Sequence, residues 1–558
     1  MFDYKYDFSI VMGYYNRKKQ TIRTLDKFAE LYTSQKYEVI IVDDNSNEEH
    51  DLTEIISNYK FPINYIKISA EEKGGRINPC SVYNKGFREA NGKIVVIQNP
   101  ECIHMGNLLS YLTLNLTDND YKAFSAYNCT SEELTLELLG DLNKINDADF
   151  TQRNRICWYN HPQLRPVHYH FCAAIYNDNL KLLGGFDEEY AKGAWFDDDS
   201  LLLSIANNLK LNIQTIDPSE AGFVIHQWHS RDAESKYTKE EHNALIQTNR
   251  ELFESNRNYH KSISFSYPKL LHLYWDGSNF SYLNLLTVLS FNKYNKFWKI
   301  NVFCPKNPTK VKSWKGDEQK EEYTGKDYFD ELKKIINLTI HYIDTDNLSF
   351  THKNASEIIK SDFFRLYVLN KYGGLWSDFD IIYTGSVEKY HLEKMTGKNA
   401  SKNMVLYRYP IEGRDFHIFP VGLFLAQKNN SILGTIIKNI DMFYNPDSYQ
   451  SLGCQMFQFI FNKQNYMKAK DILKQMKLPE LFFGDANCYL PIKWNELDNL
   501  YVREDRTIEE FEGSSEVFGI HWFNGATASK QYCNKLNIDD VIKTPKCLVD
   551  KFIAKYSK

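Results

Sequence analysis

Two tandem α/β domains, each built on a largely parallel sheet, are what the sequence predicts, and three observations carry that expectation. Strand and helix signatures alternate from the N-terminus, as in the strand FSIVMG (8–13), a helix over about 18–34 and the strand YEVIIV (37–42). Such alternation argues for a doubly wound sheet with its ligands at the carboxyl ends of the strands. After a charged helical stretch over 233–262 the pattern restarts at YPKLLHLYWDGS (267–278), which places a boundary near 255–265 and gives domains of 1–255 and 262–558. Carboxylates accompany apolar strands in both halves, Asp43 and Asp44 at the end of one and Asp378 and Asp380 set into another.

The bulk numbers agree with this division. A chain of 558 residues exceeds a single core at about 150 residues per domain. Hydrophobic residues at 43% and charged residues at 25% are ordinary for a folded soluble chain, and a net charge of −5 disfavours a nucleic-acid partner. Ten cysteines without a C-x-x-C pair signal neither a zinc ribbon nor a thioredoxin motif, so free thiols are expected. No apolar run is long enough to cross a bilayer, and MFDYKYDFSIVMG has no basic leader before an apolar core. A cytoplasmic chain is the expectation, in a bacterium or, if virus-encoded, in its host.

In the first half, Asp43 and Asp44 end a strand, where they can accept hydrogen bonds from a base imide or ribose hydroxyl or simply close an Asx-turn. The loop EEKGGR (71–76) brings Lys73 and Arg76 on glycines that can approach a diphosphate. A helix and a strand (94–97) then lead to the turn Gln98, Asn99, Pro100, Glu101, with His104 behind it. Residues 110–160 read as a polar connecting or acceptor-side segment. GGFDEEYAKGAWFDDD (184–199) sets Asp197, Asp198 and Asp199 at a helix N-terminus, where the dipole favours carboxylates as caps. Trp195 beside them offers a stacking surface, and VIHQWHSRD (224–232) places His226 and His229 at a strand end; His168 and His170 are weaker candidates.

In the second half, Trp275 closes a strand, and a lysine-rich stretch around 306–335 reads as a solvated face. SDFFRLYVLNKYGGLWSDFDII (361–382) is the most informative stretch of the chain. Asp362 and Arg365 are three apart on a helix and share a face, which Gly373 and Gly374 then end. Leu375 to Ile382 reads as one buried strand carrying Asp378 and Asp380 on the same side by its period of two. Two carboxylates so placed are costly to bury unless they bind a cation, which makes Mn²⁺ or Mg²⁺ the expected ligand. Gly422 in FPVGLFLAQ leaves room for a sugar, GCQMFQ (453–458) opens a helix, and FGIHWFNGATASK (518–530) supplies His521, Trp522 and Asn524 at a late strand end.

These motifs resemble two glycosyltransferase families of the GT-A fold. The order of strand, I-V-D-D-N-S, N-x-G helix, A-x-G-K-I strand and acidic turn is similar to family 2, although Gln98–Glu101 stands where that family usually has Asp-x-Asp. The second half resembles family 32, through YPKLLHLYW, S-D-x-x-R, Y-G-G and D-x-D. The resemblance implies a bifunctional glycosyltransferase, inverting in the first half and retaining in the second, acting on a glycan or glycoprotein acceptor. It implies nucleotide-sugar donors, UDP-sugars first with GDP-sugars as the alternative. Asp198 or Asp197 would be the general base; Asp43, Asp44, Arg76, Trp275, Asp362, Arg365 and Trp522 would bind donor. Metal would be held by Asp378, Asp380 and His521 or Asn524, and in the first half by Glu101 and His229. Two other classes stay open: a first half that has lost catalysis and binds carbohydrate or a partner, and sugar transfer to modified DNA bases.

Overall fold

The computed structural model describes residues 2–145, 157–230, 236–262, 265–309, 321–345, 348, 352, 354–463 and 467–556. The expectations for 146–156, 233–235 and the lysines of 310–320 lie outside the described residues. The chain divides into two compact units, Phe2–Ser262 and Ile263–Lys558, with Met1 grouped with the second.

The first unit is built on a seven-stranded sheet of β1 (Tyr6–Tyr14), β2 (Tyr37–Asp43), β3 (Ile63–Lys67), β4 (Gly92–Gln98), β6 (Asp120–Phe124), β9 (Cys172–Tyr176) and β10 (Asn212–Ile216). Their order is β10-β6-β9-β4-β1-β2-β3, and β9 alone runs antiparallel to its neighbours. All seven residues of β2 are buried, the signature of a strand covered on both faces. A smaller sheet takes β5 (Cys102–Met105), β7 (Ala126–Asn128), β8 (Trp158–Tyr159) and β11 (Phe223–His226) in the order β5-β11-β7-β8.

The segment 110–160 is therefore not a mere connection, because β6 lies inside the main sheet with all five residues buried. Its polar residues hid it from the pattern. Asp120 accepts from the Thr117 backbone and hydroxyl at 2.9 and 2.6 Å, and Lys122 donates to Gln214 at 2.9 Å, which satisfies both groups within the fold.

The second unit has an eight-stranded sheet of β12 (Leu270–Tyr274), β13 (Lys299–Pro305), β14 (Leu338–Ile343), β15 (Gly374–Ser377), β17 (Met404–Pro410), β18 (His417–Ile418), β19 (Leu423–Ala426) and β20 (Leu481–Asp485). Strands β14-β13-β12-β15 pair in parallel, and β19 then pairs antiparallel with β15 and β17. The helix Glu357–Tyr372 runs into β15 through Gly373 at φ +70° and Gly374 at φ +104°. A Cβ on Gly374 would also sit 2.4 Å from the Leu270 carbonyl, so this entry to the sheet requires glycine.

The stretch 375–382 is not one strand. β15 ends at Ser377, Asp378 to Asp380 form a turn, and β16 (Ile381–Tyr383) pairs instead with β21 (Gly519–His521) in a separate ribbon. The chain changes sheets between the two carboxylates, so the period of two does not relate them. A turn also spares both charges the cost of a strand interior.

Each unit has its own core: Phe8, Ile10, Val39, Leu112 and Val224 join one cluster, and Leu271, Leu286, Val302, Tyr407 and Phe552 another. All ten cysteines are free thiols, as expected, and nine of them are buried. No helix among the described residues is long and apolar enough to cross a membrane.

Candidate functional site

The second unit gathers its site where β15 leaves the sheet. The Asp378 amide donates to the Gly422 carbonyl at 2.7 Å, and Trp376 Nε1 donates to the Asp378 carboxylate at 2.9 Å. Arg365 lies 2.7 Å from Asp362 and 3.6 Å from Asp378, and its Nη1 donates to the Val421 carbonyl at 2.6 Å. The shared helical face thus brings Asp362 and Arg365 to the turn. Burial pushes the Asp362 carboxyl up to about 7, with Asp378 adding to the rise against Arg365.

The ribbon supplies the rest. Ile381 pairs with His521, which sets His521 Nε2 3.1 Å from Asp380. Burial raises both carboxyls; at Asp380 the His521 imidazole, the Asn524 amide and Lys530 together outweigh it and the net direction is down, whereas Asp378 stays raised. Asn524 reaches Asp380 through its backbone amide at 3.0 Å, while its side chain accepts from Lys530 Nζ at 2.9 Å.

Lys530 is a residue the sequence reading missed. Its bond to the Asn524 side chain sets it one residue away from the acidic turn, since the Asn524 amide donates to Asp380; burial lowers its pKa, and the fields of Cys533, Asp276 and Asp380 oppose that fall. Its signal was position alone, in the first turn-and-a-half of the helix Thr527–Lys535 that follows His521.

Neither Trp275 nor Trp522 takes the expected place against a donor. Trp522 is fully buried in the core and has no face open to a base. Trp275 is 8% exposed, donates to the Ser278 carbonyl at 2.7 Å, and packs edge-on against Phe280 and Phe379 behind the acidic turn.

The donor set fits a hard or borderline divalent cation. A Cβ placed on Gly422 would lie 3.1 Å from Asp378 Oδ2 and 3.7 Å from His521 Nε2, so the missing side chain leaves a cradle flanked by carboxylate and imidazole.

In the first unit the carboxyl ends of β1 and β2 open onto a pocket of about 170 Å³ lined by Gly13, Tyr15, Asp44, Lys73, Arg76 and Tyr237 among others. Asp44 is paired with Arg76 at 2.6 Å and Lys73 at 3.3 Å, and Lys73 Nζ stands 3.5 Å over the Tyr15 ring. Asp43 is committed to its own turn, accepting from the Ser46 amide at 2.8 Å and from the Tyr65 hydroxyl. Of the two acids at this strand end, Asp44 therefore faces the pocket together with the basic loop.

At the neighbouring strand end, His226 and His229 each place Nε2 3.2 Å from the same Glu101 oxygen. Among the described residues, this is the only group of three His, Cys, Asp or Glu ligand atoms lying within 4.8 Å of one another. His226 Nδ1 is buried without a hydrogen-bond partner. Burial pushes the Glu101 carboxyl up, but the bonds from the two histidines prevail and hold it well below the usual carboxylate range. A carboxylate and two imidazoles converging in this way suit a divalent metal. His104, by contrast, is sealed in the core between Tyr32 and Gln98.

The three aspartates open the helix Asp197–Ser204 after Trp195 and Phe196, which both adopt positive φ. Buried Asn78 donates to Asp197 at 3.1 Å and to the Trp195 carbonyl at 3.3 Å, a positioning role that its sequence context did not announce. Burial lifts Asp197 to about 6, with Asp198 adding to the rise. Asp198 accepts from the His170 amide at 2.9 Å and pairs with the His170 ring. Tyr83 packs edge-on against that ring and donates to the Gln98 carbonyl at 3.0 Å, so an unbroken chain of contacts joins the acidic helix to the turn that carries Glu101.

Comparison with known proteins finds glycosyltransferase regions that include Asp44, Arg76, Glu101, Asp378, Asp380 and His521, whereas Asp197, Asp198, His226 and His229 lie outside the matched residues. Residues 9–165 match the model of glycosyl transferase family 2. Residues 306–400 match the glycosyltransferase sugar-binding region containing the DXD motif, and 425–546 match the alpha 1,4-glycosyltransferase conserved region. Chondroitin synthase of Escherichia coli is 27% identical over 208 residues, covering 34% of this chain and 29% of that protein. The chain thus spans under a third of that relative.

Solved structures with some likeness include the mannosyltransferase PcManGT of Pyrobaculum calidifontis in complex with GDP-Man and Mn²⁺ (16% identity, TM-score 0.28, 42% of this chain and 60% of that one). They also include S. aureus TarS 1-349 in complex with UDP-GlcNAc (15%, TM-score 0.30, 45% and 66%). Both units of the chain carry glycosyltransferase regions.

Proposed function

We propose that the chain is a bifunctional glycosyltransferase with one nucleotide-sugar site in each unit, transferring sugars to a glycan or glycoprotein acceptor in the cytoplasm. The domains would correspond to the two halves around residue 262. The observation that carries a live first half is the convergence of Glu101, His226 and His229, which supplies metal ligands where Asp-x-Asp is missing. In the second half Asp378, Asp380 and His521 would hold Mn²⁺ or Mg²⁺. A bound divalent ion offsets the negative charge that develops on the departing diphosphate.

In the first half, Arg76 and Lys73 line the approach of the donor, with Asp44 as their counter-charge. Asp198 accepts the proton of the acceptor hydroxyl as that oxygen attacks the anomeric carbon, and the nucleoside diphosphate leaves from the opposite face, giving inversion. His170 fixes the Asp198 carboxylate, and Asp197, held by Asn78, adds negative charge behind it. In the second half, Arg365 and Asp362 orient the donor sugar, and Lys530 sits beside Asp380 to oppose charge on the leaving group. No protein base is assigned there; the leaving phosphate takes the proton during front-face transfer, giving retention. UDP-sugars are the first donors to test, then GDP-sugars.

The decisive measurement is nucleotide-sugar hydrolysis with and without Mn²⁺ for the wild type, Glu101→Gln, and Asp378→Asn/Asp380→Asn. Each variant should abolish one Mn²⁺-dependent activity, by about 10²-fold or more, and spare the other. Equal hydrolysis by all three proteins for every donor would overturn both site assignments.

A further inference from the structure

We propose that Trp494 and Phe523 form an aromatic platform that receives a pyranose ring of the acceptor beside the Asp378–Asp380 turn; this rests on the glycosyl-transfer reading of the second unit. The platform grows out of the site. His521, 3.1 Å from Asp380, packs edge-on against Phe523 with ring centroids 4.3 Å apart, and Phe523 meets Trp494 edge-on at 5.4 Å. Three rings therefore lead from the carboxylates to the surface, where Trp494 is 42% exposed.

Two features show that this surface is held in place. Phe523 adopts φ +56°, a conformation that costs a bulky residue about 1–3 kcal/mol and is typical of sites where geometry matters more than stability. Its amide donates to His521 Nδ1 at 3.2 Å, which ties the strained residue to the imidazole beside Asp380. Trp494 opens a single turn, Trp494–Glu496, closed by two bonds between Lys493 and Glu496 at 2.9 Å. Lys493 Nζ in turn donates to the Leu490 carbonyl at 2.7 Å. The backbone that carries the indole is thereby fixed, and the indole itself rests edge-on against Phe523.

The chemistry of the occupant follows. One face of a pyranose carries C–H groups that are apolar and weakly positive, matching the electron-rich face of an aromatic ring, while its hydroxyls remain in water at the rim. Arg365, paired with Asp362, approaches the turn at Asp378, whereas the rings branch from Asp380. The platform is thereby separate from the groups assigned to the donor sugar. Trp494 and Phe523 both fall within the matched alpha 1,4-glycosyltransferase region.

The test uses the full chain in a Glu101→Gln background, with p-nitrophenyl pyranosides of glucose, galactose, N-acetylglucosamine and N-acetylgalactosamine as acceptors. Trp494→Ala should raise the acceptor KM about tenfold with kcat and donor KM unmoved, and Trp494→Phe should restore most of it. An unchanged acceptor KM overturns the proposal, as does a shift in donor KM, which would mean that the nucleotide base stacks there. Saturation-transfer NMR with the same glycosides decides without turnover: ring C–H contact should be present in the wild type and lost in Trp494→Ala, and identical or absent signals in both overturn the platform. If the background protein hydrolyses no donor, the catalytic reading of this unit fails, and the NMR result still stands alone.

Discussion

Asp362 shows how a single buried group ties the donor site to stability. Its carboxyl is raised to about 7 by burial, with Asp378 adding to the rise and Arg365 opposing it, whereas an unfolded chain holds an aspartate near 4. The folded state therefore binds this proton more tightly than the unfolded state. Below about 4 both states are protonated, and the contribution of this group to stability is at its full, pH-independent value. Between about 4 and about 7 the unfolded chain ionises freely while the folded one does not, so stability falls as pH rises, and it levels off above about 7. Asp362→Asn removes the titration. Thermal or denaturant unfolding across this range should show the wild type losing on the order of 2–4 kcal/mol relative to the variant, and parallel profiles would refute the assignment.

Asp362 and Arg365 were legible as a pair because helical spacing alone puts them on one face. Lys530 and Asn78 were not, since each acts on a residue more than a hundred positions away, Asn78 through its bond to Asp197 and Lys530 through its field at Asp380.

At the scale of elements, the ribbon of β16 and β21 does what the motif alone cannot. It carries His521 from near the end of the chain to Asp380, with Ile381 opposite His521 and Tyr383 opposite Gly519. Sequence reading found the Asp-x-Asp motif and the late histidine but placed both carboxylates on one strand. Local pattern could not reveal that the chain leaves one sheet for another between Ser377 and Ile381, because pairing with residues 519–521 is a long-range event. The strand β6 was missed for a related reason: its polar residues are satisfied by partners that only the fold brings close.

Gly519 offers a test of the ribbon. A Cβ there would lie 2.9 Å from the Ile381 side chain, so Gly519→Val must push β21 away from β16. The Mn²⁺-stimulated hydrolysis assigned to the second unit should fall about tenfold or more, because the His521 imidazole loses its position beside Asp380. The activity assigned to Glu101 should be unaffected. A variant that retains full metal stimulation would mean that His521 is not part of the site.

At the scale of the molecule, the chain divides into Phe2–Ser262 and Ile263–Lys558, and the clusters that hold Ile10, Trp158 and Leu286 each draw their members from one side of residue 262. The restart at YPKLLHLYW was visible in sequence because a new buried strand after a long charged helix is a local signal. Such separation of cores is what independent folding requires. Residues 1–262 and 263–558 expressed separately should each unfold in a single cooperative transition followed by circular dichroism. The Glu101-dependent hydrolysis should travel with the first piece and the Asp378/Asp380-dependent hydrolysis with the second. Joining them matters only if the product of one site is the acceptor of the other. In that case the tether supplies an effective concentration on the order of millimolar, so the intact chain should outpace an equimolar mixture of the pieces at micromolar protein and lose its advantage as the mixture is concentrated. Equal rates at every concentration would mean that the two activities share a chain without sharing an acceptor.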